Sequence, residues 1–332
     1  IENGSGAQNC CFFYYFCQLN KALEYCVCKC ALMKIKSVVK IIRPEQWVKQ
    51  CSIFFPMFFF GSLLDIRCWF STVFAFIAFS FIASSIYCLN DLIDIEKDRK
   101  HPKKKMRPLA SGTISKREGI WVMISCLAVA VLILVIAHKL AVFANEKILL
   151  LFCAIYFVLN VLYSVKLKSI AVLDVFIIAF GFVIRIFIGG FAAGVPVSHW
   201  IVMLTFLLSL FLALTKRRDD VVLYENTGEK VRENVNRYSI SFLNQAIGIT
   251  APTLDTAVGT IADSITGNIL SSIGNPYLYT TSFFVLAGII RYLQLTIVDT
   301  RSGSPTAILL KDRFIQVCVL GWGILIFCLI YL

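Results

Sequence analysis

Charged side chains are scarce in this chain: Asp, Glu, Lys and Arg make up only 16% of its 332 residues, whereas 58% are hydrophobic. Soluble globular domains carry more charge than this, so that class is excluded. Apolar runs near membrane-spanning length recur along the chain, and they are too long and too uniformly apolar for the strands of a barrel. The composition therefore predicts an all-α polytopic membrane protein.

Three further absences in the sequence narrow the class of protein. No recognised nucleic-acid-binding module is present and the cations lie between the apolar runs, so we predict no nucleic-acid partner. The first residues lack the basic start and the small-residue cleavage site of a signal peptide. No internal repeat is visible, whereas a transporter more typically shows broken helices in two related halves. A non-catalytic transporter or scaffold stays open as an alternative to an enzyme.

Hydropathy predicts about nine transmembrane helices, in contact with membrane lipids. They cover roughly residues 50–64, 69–89, 118–138, 147–163, 170–190, 199–215, 242–267, 278–297 and 314–332. Lys and Arg concentrate in the connections after spans 2, 4, 6 and 8, which predicts that these connections face the cytoplasm. The net charge of +12 reflects this asymmetry and also suits an anionic substrate. We expect the active site in the long inner connections at 90–117 and 215–241.

Residues 90–98, the Asp-rich segment, follow a long apolar run and precede a block of cations. On a helix, Asn90, Asp94 and Asp98 fall on one face at i, i+4 and i+8, with Asp91 beside them. Oxygen donors in this arrangement suit a hard divalent cation, most naturally Mg2+ carrying a diphosphate. Anchoring of a helix end at the membrane surface uses Lys and Arg, and so does not explain the acidic side chains.

A second cluster, YSVKLKSIAVLDV at 163–175, lies in the next inner connection. Lys166 and Lys168 are candidates to clamp a phosphate, although membrane anchoring explains Lys166 equally well. Asp174 lies one turn into the fifth span, where a carboxylate is costly without a partner. Arg185 lies about 16 Å further along the same helix, so we expect an internal polar network there, with direct substrate contact as the alternative.

A third cluster, KRRDD at 216–220, follows the sixth span on the same side. Its Lys216 either reaches the site or simply favours a helix end. Residues 1–35 form a separate Cys-rich segment of unassigned role, and its Cys-x-Cys-x-Cys run at 26–30 lacks the second Cys or His cluster that a structural metal needs. We treat residues 36–332 as one transmembrane catalytic domain. The seventh span is the least apolar, because it contains Pro252, Asp255 and Asp263.

The motif NDLIDIEKDRKHPKKKMRPLASG at 90–112 resembles the first Asp-rich signature, NDxxDxxxD, of the UbiA-type superfamily of intramembrane prenyltransferases. This resemblance implies a ring of nine helices around a cavity open to lipid and cytoplasm. Six segments more specifically resemble the decaprenyl-phosphate phosphoribosyltransferase branch: HPKKKMRP, YSVKLK, GFVIRIFIGG, TKRRDD, NRYSISFL and RYLQLTIVDTRSGSPTAILLKDR. The similarity runs from about residue 36 to the end.

The resemblance also implies roles for individual residues. Mg2+ and diphosphate would be held by Asn90, Asp91, Asp94 and Asp98, and the donor pocket would be completed by Lys104, Arg107, Tyr163, Lys168 and Asp174. Most superfamily members carry a second Asp-rich signature with acids four residues apart, but here Ile178 stands four residues after Asp174. The resemblance to the phosphoribosyltransferase branch predicts the absence of this second signature.

The implied reaction transfers 5-phosphoribose from phosphoribosyl diphosphate (PRPP) to a polyprenyl phosphate for cell-envelope polysaccharide synthesis. The alternative is an aromatic prenyltransferase of the same fold, with a polyprenyl diphosphate donor. The fingerprint of soluble phosphoribosyltransferases, a strand ending in paired acids before a Thr-Gly loop, is missing around Asp219 and Asp220. The chain length of the lipid and the formation of a homo-oligomer stay open.

Overall fold

A computed structural model describes residues 35–100, 104–228, 234–253, 280–298, 308 and 311–331. Every regular element within these ranges is helical, which confirms the predicted all-α fold class. Two regions singled out in the sequence lie outside the described residues. They are the Cys-rich segment, apart from its last residue, and the part of the seventh predicted span that contains Asp255 and Asp263.

The chain begins with helix α1 (35–42) and a 3-10 helix (Pro44–Phe54), which continues into the short helix α2 (Phe55–Phe59). The remaining helices are α3 (Ile66–Ile93), α4 (Ile95–Lys100), α5 (Lys116–Lys139), α6 (Glu146–Val165), α7 (Leu173–Ala193), α8 (His199–Thr227), α9 (240–253), α10 (Thr280–Leu293) and α11 (Arg313–Tyr331). Three 3-10 turns lie in the connections, at Lys104–Met106, Leu167–Ser169 and Val235–Arg237. A π-helical turn, Gln294–Val298, extends α10.

Seven helices are long and apolar enough to cross a membrane: α3, α5, α6, α7, α8, α10 with its π-helical turn, and α11. They match predicted spans 2 to 6, 8 and 9. The count of nine is not confirmed. The first predicted span, 50–64, is wrong as a single helix. The 3-10 helix that begins at Pro44 ends at Phe54, and α2, with Pro56 as its second residue, covers only Phe55–Phe59. Proline lacks the backbone donor that a continuous helix requires.

Helix α8 extends well beyond the predicted sixth span. KRRDD at 216–220 therefore lies within the helix, and not in a charged connection as the sequence suggested. Arg217 and Arg218 are buried there. Both arginines can be buried because neighbouring segments supply their partners. Asp174 pairs with Arg217, and Asn244 of α9 accepts a hydrogen bond from Arg218.

Helix α7 is the central packing element. Buried apolar side chains join it to α3 and α6 in one cluster, and to α8, α9 and α10 in another. Its approach to the 3-10 helix is especially close at Gly189, where an added Cβ would overlap the backbone carbonyl of Ile53. Glycine at this position therefore sets the 3-10 helix, with Lys49 and Gln50, directly against α7.

Candidate active site

The Asp-rich segment lies where α3 ends and α4 begins. Asp94 stands between the two helices with φ −94° and ψ 12°, so the segment is not the continuous helix predicted from the sequence. Backbone hydrogen bonds nevertheless cross the break, from Asp94 N to Asn90 O at 3.0 Å and from Asp98 N to Asp94 O at 2.8 Å. Asn90, Asp94 and Asp98 thus keep the four-residue hydrogen-bond spacing despite the break.

Two arginines neutralise Asp91 and Asp98. Arg43, which immediately precedes the 3-10 helix, places Nη2 at 2.5 and 2.7 Å from the two carboxylate oxygens of Asp91. Arg107 donates from Nη1 to Asp91 at 3.0 Å and to Asp98 at 2.6 Å. Both carboxylates are only 4% exposed, so little water screens these charge-assisted hydrogen bonds.

Asp94 has a partner from another part of the chain. Lys168 lies in the 3-10 turn between α6 and α7, and its Nζ is 2.7 and 2.8 Å from the two carboxylate oxygens of Asp94. The two side chains are 20% and 25% exposed. The structure therefore brings the first two sequence clusters together. Lys166, by contrast, is exposed and its side chain forms no hydrogen bond or ion pair within the described part of the chain, which favours the anchoring interpretation.

Asp174 belongs to a separate buried ion pair. Its Oδ2 accepts a hydrogen bond from Nε of Arg217 at 2.6 Å, and its Oδ1 accepts one from the hydroxyl of Tyr238 at 2.6 Å. The Tyr238 hydroxyl also accepts from the backbone N–H of Val172 at 2.6 Å, at the start of α7. Because both carboxylate oxygens are engaged, the geometry favours a structural role for Asp174 over direct contact with substrate.

The other residues singled out in the sequence fall into two groups. Asn90, Lys104 and Tyr163 are half-buried. The backbone carbonyl of Lys104 accepts a hydrogen bond from the N–H of Arg107 at 2.9 Å, and Tyr163 lies within electrostatic range of Arg217. Arg185 and Lys216 instead lie within electrostatic range of Lys49 of the 3-10 helix. The side chain of Asn90 forms no hydrogen bond within the described ranges, so its amide oxygen is available to a ligand.

Sequence reasoning overlooked Arg43, Lys49, Arg217 and Tyr238. Arg43 and Lys49 precede the first predicted span, where the positive-inside rule already accounts for cations. A signal did exist for Arg217, because a carboxylate such as Asp174 inside a span needs a cationic partner, and KRRDD offers three candidates.

The donor chemistry of the Asp-rich segment fits a hard divalent cation, since it offers carboxylate and amide oxygens at four-residue spacing. Within the described residues, no three acidic, His or Cys side chains converge closely enough to hold a metal ion. The carboxylates of Asp91, Asp94 and Asp98 point instead at their cationic partners. A metal ion could bind these carboxylates only if Lys168 and Arg107 released them and paired with other anions.

The helices and the paired charges define an integral membrane protein whose acid and base side chains meet at one end of α3. Residues 53–317 match the model of the UbiA prenyltransferase family. The chain therefore belongs to the UbiA prenyltransferase family of enzymes, as the sequence resemblance predicted.

Two curated relatives cover most of the chain. The decaprenyl-phosphate phosphoribosyltransferase of Mycolicibacterium smegmatis is 34% identical over 300 residues, which are 87% of this chain and 90% of that protein. The enzyme of the same name from Corynebacterium glutamicum is 30% identical over 298 residues, 88% of this chain and 85% of the relative. Both support the specific branch resemblance.

A solved structure shares the fold. A UbiA homolog from Archaeoglobus fulgidus, bound to DMAPP and Mg2+, superposes with a TM-score of 0.63 and covers 88% of this chain and 99% of its own. At 20% sequence identity, this similarity shows the fold alone.

Proposed function

We propose that this enzyme transfers 5-phosphoribose from PRPP to a polyprenyl phosphate and releases diphosphate, with Mg2+ as cofactor. The proposed site faces the cytoplasm of a bacterial-type inner membrane, and the lipid product would supply cell-envelope polysaccharide synthesis. The names of the two curated relatives support this substrate pair. The charge distribution around the Asp-rich segment supports it independently.

The observation that carries the proposal is the pairing of each acid in the Asp-rich segment with a cation from elsewhere in the chain. Arg43, Arg107 and Lys168 supply these cations. A magnesium diphosphate group has the complementary charges, because the metal ion attracts carboxylates while phosphate oxygens attract guanidinium and ammonium groups. The same side chains can therefore pair with one another when the site is empty and bind the magnesium diphosphate group when the donor is present.

In the proposed complex, the metal ion would be held by Asn90, Asp94 and Asp98, with Asp91 in support. Bound Mg2+ would neutralise part of the charge of the leaving diphosphate. Lys168 and Arg107 would then donate to phosphate oxygens, which stabilises the negative charge that develops as the donor breaks. Arg43 would hold Asp91 in its orientation through its two hydrogen bonds to the carboxylate.

The reaction needs no strong general base. An anionic oxygen of the polyprenyl phosphate forms a bond to C1 of the ribose. The bond between C1 and the diphosphate oxygen breaks, and its electron pair leaves with the diphosphate. Positive charge develops on C1 and the ring oxygen, as at other glycosidic carbons. The side chains therefore act by positioning and by charge, and not by removing a proton.

The aromatic prenyltransferase alternative is less well supported. That reaction relies on a second Asp-rich signature in this superfamily, and Ile178 occupies the position four residues after Asp174. Asp174 is itself engaged by Arg217 and Tyr238. Of the two acids that a second metal cluster would need, one is therefore replaced by Ile178 and the other is held in a buried ion pair.

Purified protein in lipid bilayers, incubated with labelled PRPP, Mg2+ and a polyprenyl phosphate, should produce a labelled lipid. Omission of either the lipid phosphate or the metal should remove the product. Parallel reactions should contain geranyl diphosphate and 4-hydroxybenzoate. Prenylated 4-hydroxybenzoate, with no labelled lipid from PRPP, would contradict the proposal and favour the alternative.

A further inference from the structure

A second group of cations lies apart from the Asp-rich segment, and we name it the Lys49 cluster: Lys49, Gln50, Arg185 and Lys216. Arg185 of α7 is 5% exposed. Its Nε donates to Oε1 of Gln50 at 2.5 Å and its Nη2 donates to the Tyr156 hydroxyl at 3.0 Å. No carboxylate in the described part of the chain pairs with Arg185. Neutral groups therefore satisfy its hydrogen bonds. The rings of Phe79, Tyr156 and Phe182 lie 5.6, 5.2 and 4.7 Å from its guanidinium carbon, so cation–π contacts stabilise a charge that no described carboxylate neutralises.

Lys49 adds a second charge beside the first. It belongs to the 3-10 helix, outside the seven spanning helices, and precedes Gln50 in the chain. Burial, followed by the charges of Lys216, Arg185 and Arg43, lowers the pKa of Lys49 to about 8. Among the described residues, Lys49 has no anionic partner. Three cations thus lie within electrostatic range of an ammonium group that no acid of the described residues neutralises.

Gln50 supplies a further donor at the same place. Its side chain is fully buried and its Oε1 accepts from Arg185, but its Nε2 has no hydrogen-bond partner within the described residues. An unsatisfied buried amide is unfavourable for the folded protein, and so are two largely buried cations, Lys49 and Arg185, that have no carboxylate partner among the described residues. An anion with several acceptor oxygens would satisfy both at once.

From these contacts we infer that the Lys49 cluster binds the phosphate monoester of the polyprenyl phosphate acceptor. This inference rests on the proposed function, because that reaction brings a lipid phosphate to the donor. The ligand chemistry itself, a phosphate monoester, is also present in PRPP as the 5-phosphate. The position of the cluster favours the lipid as its source.

Two relations support the lipid as the source of this phosphate. Arg43 binds Asp91 and also lies within electrostatic range of Lys49, so the cluster adjoins the Asp-rich segment. Arg185 lies about 16 Å along α7 from Asp174, near the middle of an apolar spanning helix. A phosphate attached to an isoprenoid tail enters from the lipid, whereas a soluble sugar diphosphate enters from water.

The test compares Lys49→Gln and Lys49→Arg with Lys40→Gln, which alters an exposed lysine of α1. Lys49→Gln should raise the KM for polyprenyl phosphate at least tenfold and leave the KM for PRPP within about twofold, because the removed charge contacts only the acceptor. Lys49→Arg should restore most of the affinity, and Lys40→Gln should match the unaltered protein. A raised KM for PRPP alone, or no change in either KM, would overturn the inference.

A binding measurement separates this inference from the proposed function. Farnesyl phosphate should raise the unfolding temperature of the unaltered protein in EDTA without PRPP, whereas farnesol should not, and Lys49→Gln should abolish the shift. This result would support the site even if no phosphoribosyl transfer were detected, in which case the proposed function alone would fail. Equal shifts in the unaltered and Lys49→Gln proteins would overturn the site even if transfer were observed.

The pH dependence of farnesyl phosphate binding gives a further readout. A lysine binds phosphate only when protonated, and the pKa of unliganded Lys49 is about 8. Binding to the unaltered protein should therefore weaken as the pH rises above about 8. The Lys49→Arg protein should bind farnesyl phosphate equally well at pH 7 and pH 9, because an arginine side chain keeps its charge over this range. An unchanged pH profile in Lys49→Arg would assign the titration to another group and contradict the role of Lys49.

Discussion

Asp94 is the most exposed of the three acids in the Asp-rich segment and the one that stands at the helix break. If it binds a metal ion, Asp94→Asn should abolish turnover, because a neutral amide is a much weaker ligand for Mg2+ than a carboxylate. The unfolding temperature should change little, since the side chain is 25% exposed. Full activity of Asp94→Asn in a phosphoribosyl transfer assay would contradict the metal assignment.

Lys168 tests whether the cations contribute to catalysis or only anchor the protein. If Lys168 donates to phosphate oxygens, Lys168→Ala should cost about 2–5 kcal/mol of transition-state stabilisation, measured from kcat/KM. The matched control is Lys100→Ala, at an exposed position at the end of α4. We expect almost no effect there. Small and equal effects of both substitutions would favour simple anchoring.

At the scale of helices, the buried pair of Asp174 and Arg217 connects α7 to α8. Asp174→Asn removes one charge from a pair whose side chains are at most 1% exposed, which leaves Arg217 buried without its main counter-ion. We expect a loss of about 3–5 kcal/mol in the free energy of unfolding. Glu225→Gln, at an exposed position near the end of α8, is the control and should be neutral. Lost activity with unchanged stability would instead favour direct contact between Asp174 and substrate.

The contact between α7 and the 3-10 helix depends on Gly189. A methyl group there would overlap the Ile53 carbonyl, so Gly189→Ala should displace the 3-10 helix and with it Lys49 and Gln50. We expect a loss of stability of about 1–3 kcal/mol and a raised KM for polyprenyl phosphate.

Gly323→Ala is the control for this substitution, because Gly323 lies within α11 and an added Cβ meets no atom within 4 Å. It should be neutral or slightly stabilising in thermal unfolding. If Gly189→Ala behaves in the same way, the close contact does not position the cluster.

At the scale of the whole molecule, apolar length was enough to predict the seven spanning helices. The same criterion failed at residues 50–64, because it ignores Pro56 and cannot distinguish a 3-10 helix from an α-helix. The acids of the Asp-rich segment were recognisable from their spacing. Their partners were not, because Arg43 and Lys168 reach them across 48 and 74 residues, and local periodicity carries no information about such contacts.

In the proposed complex the donor would engage several separate parts of the chain, so its binding should stabilise the entire fold. We expect PRPP with Mg2+ to increase the free energy of unfolding by roughly 3 kcal/mol at about a hundred times its dissociation constant. PRPP without the metal should have a much smaller effect. Once Lys168 and Arg107 turned to the diphosphate, no Mg2+ would replace them as counter-ions of Asp94 and Asp98. Geranyl diphosphate lacks the sugar phosphate, and with an aromatic acceptor it should give no product. Stabilisation by geranyl diphosphate and none by PRPP would show that the site selects an isoprenoid donor.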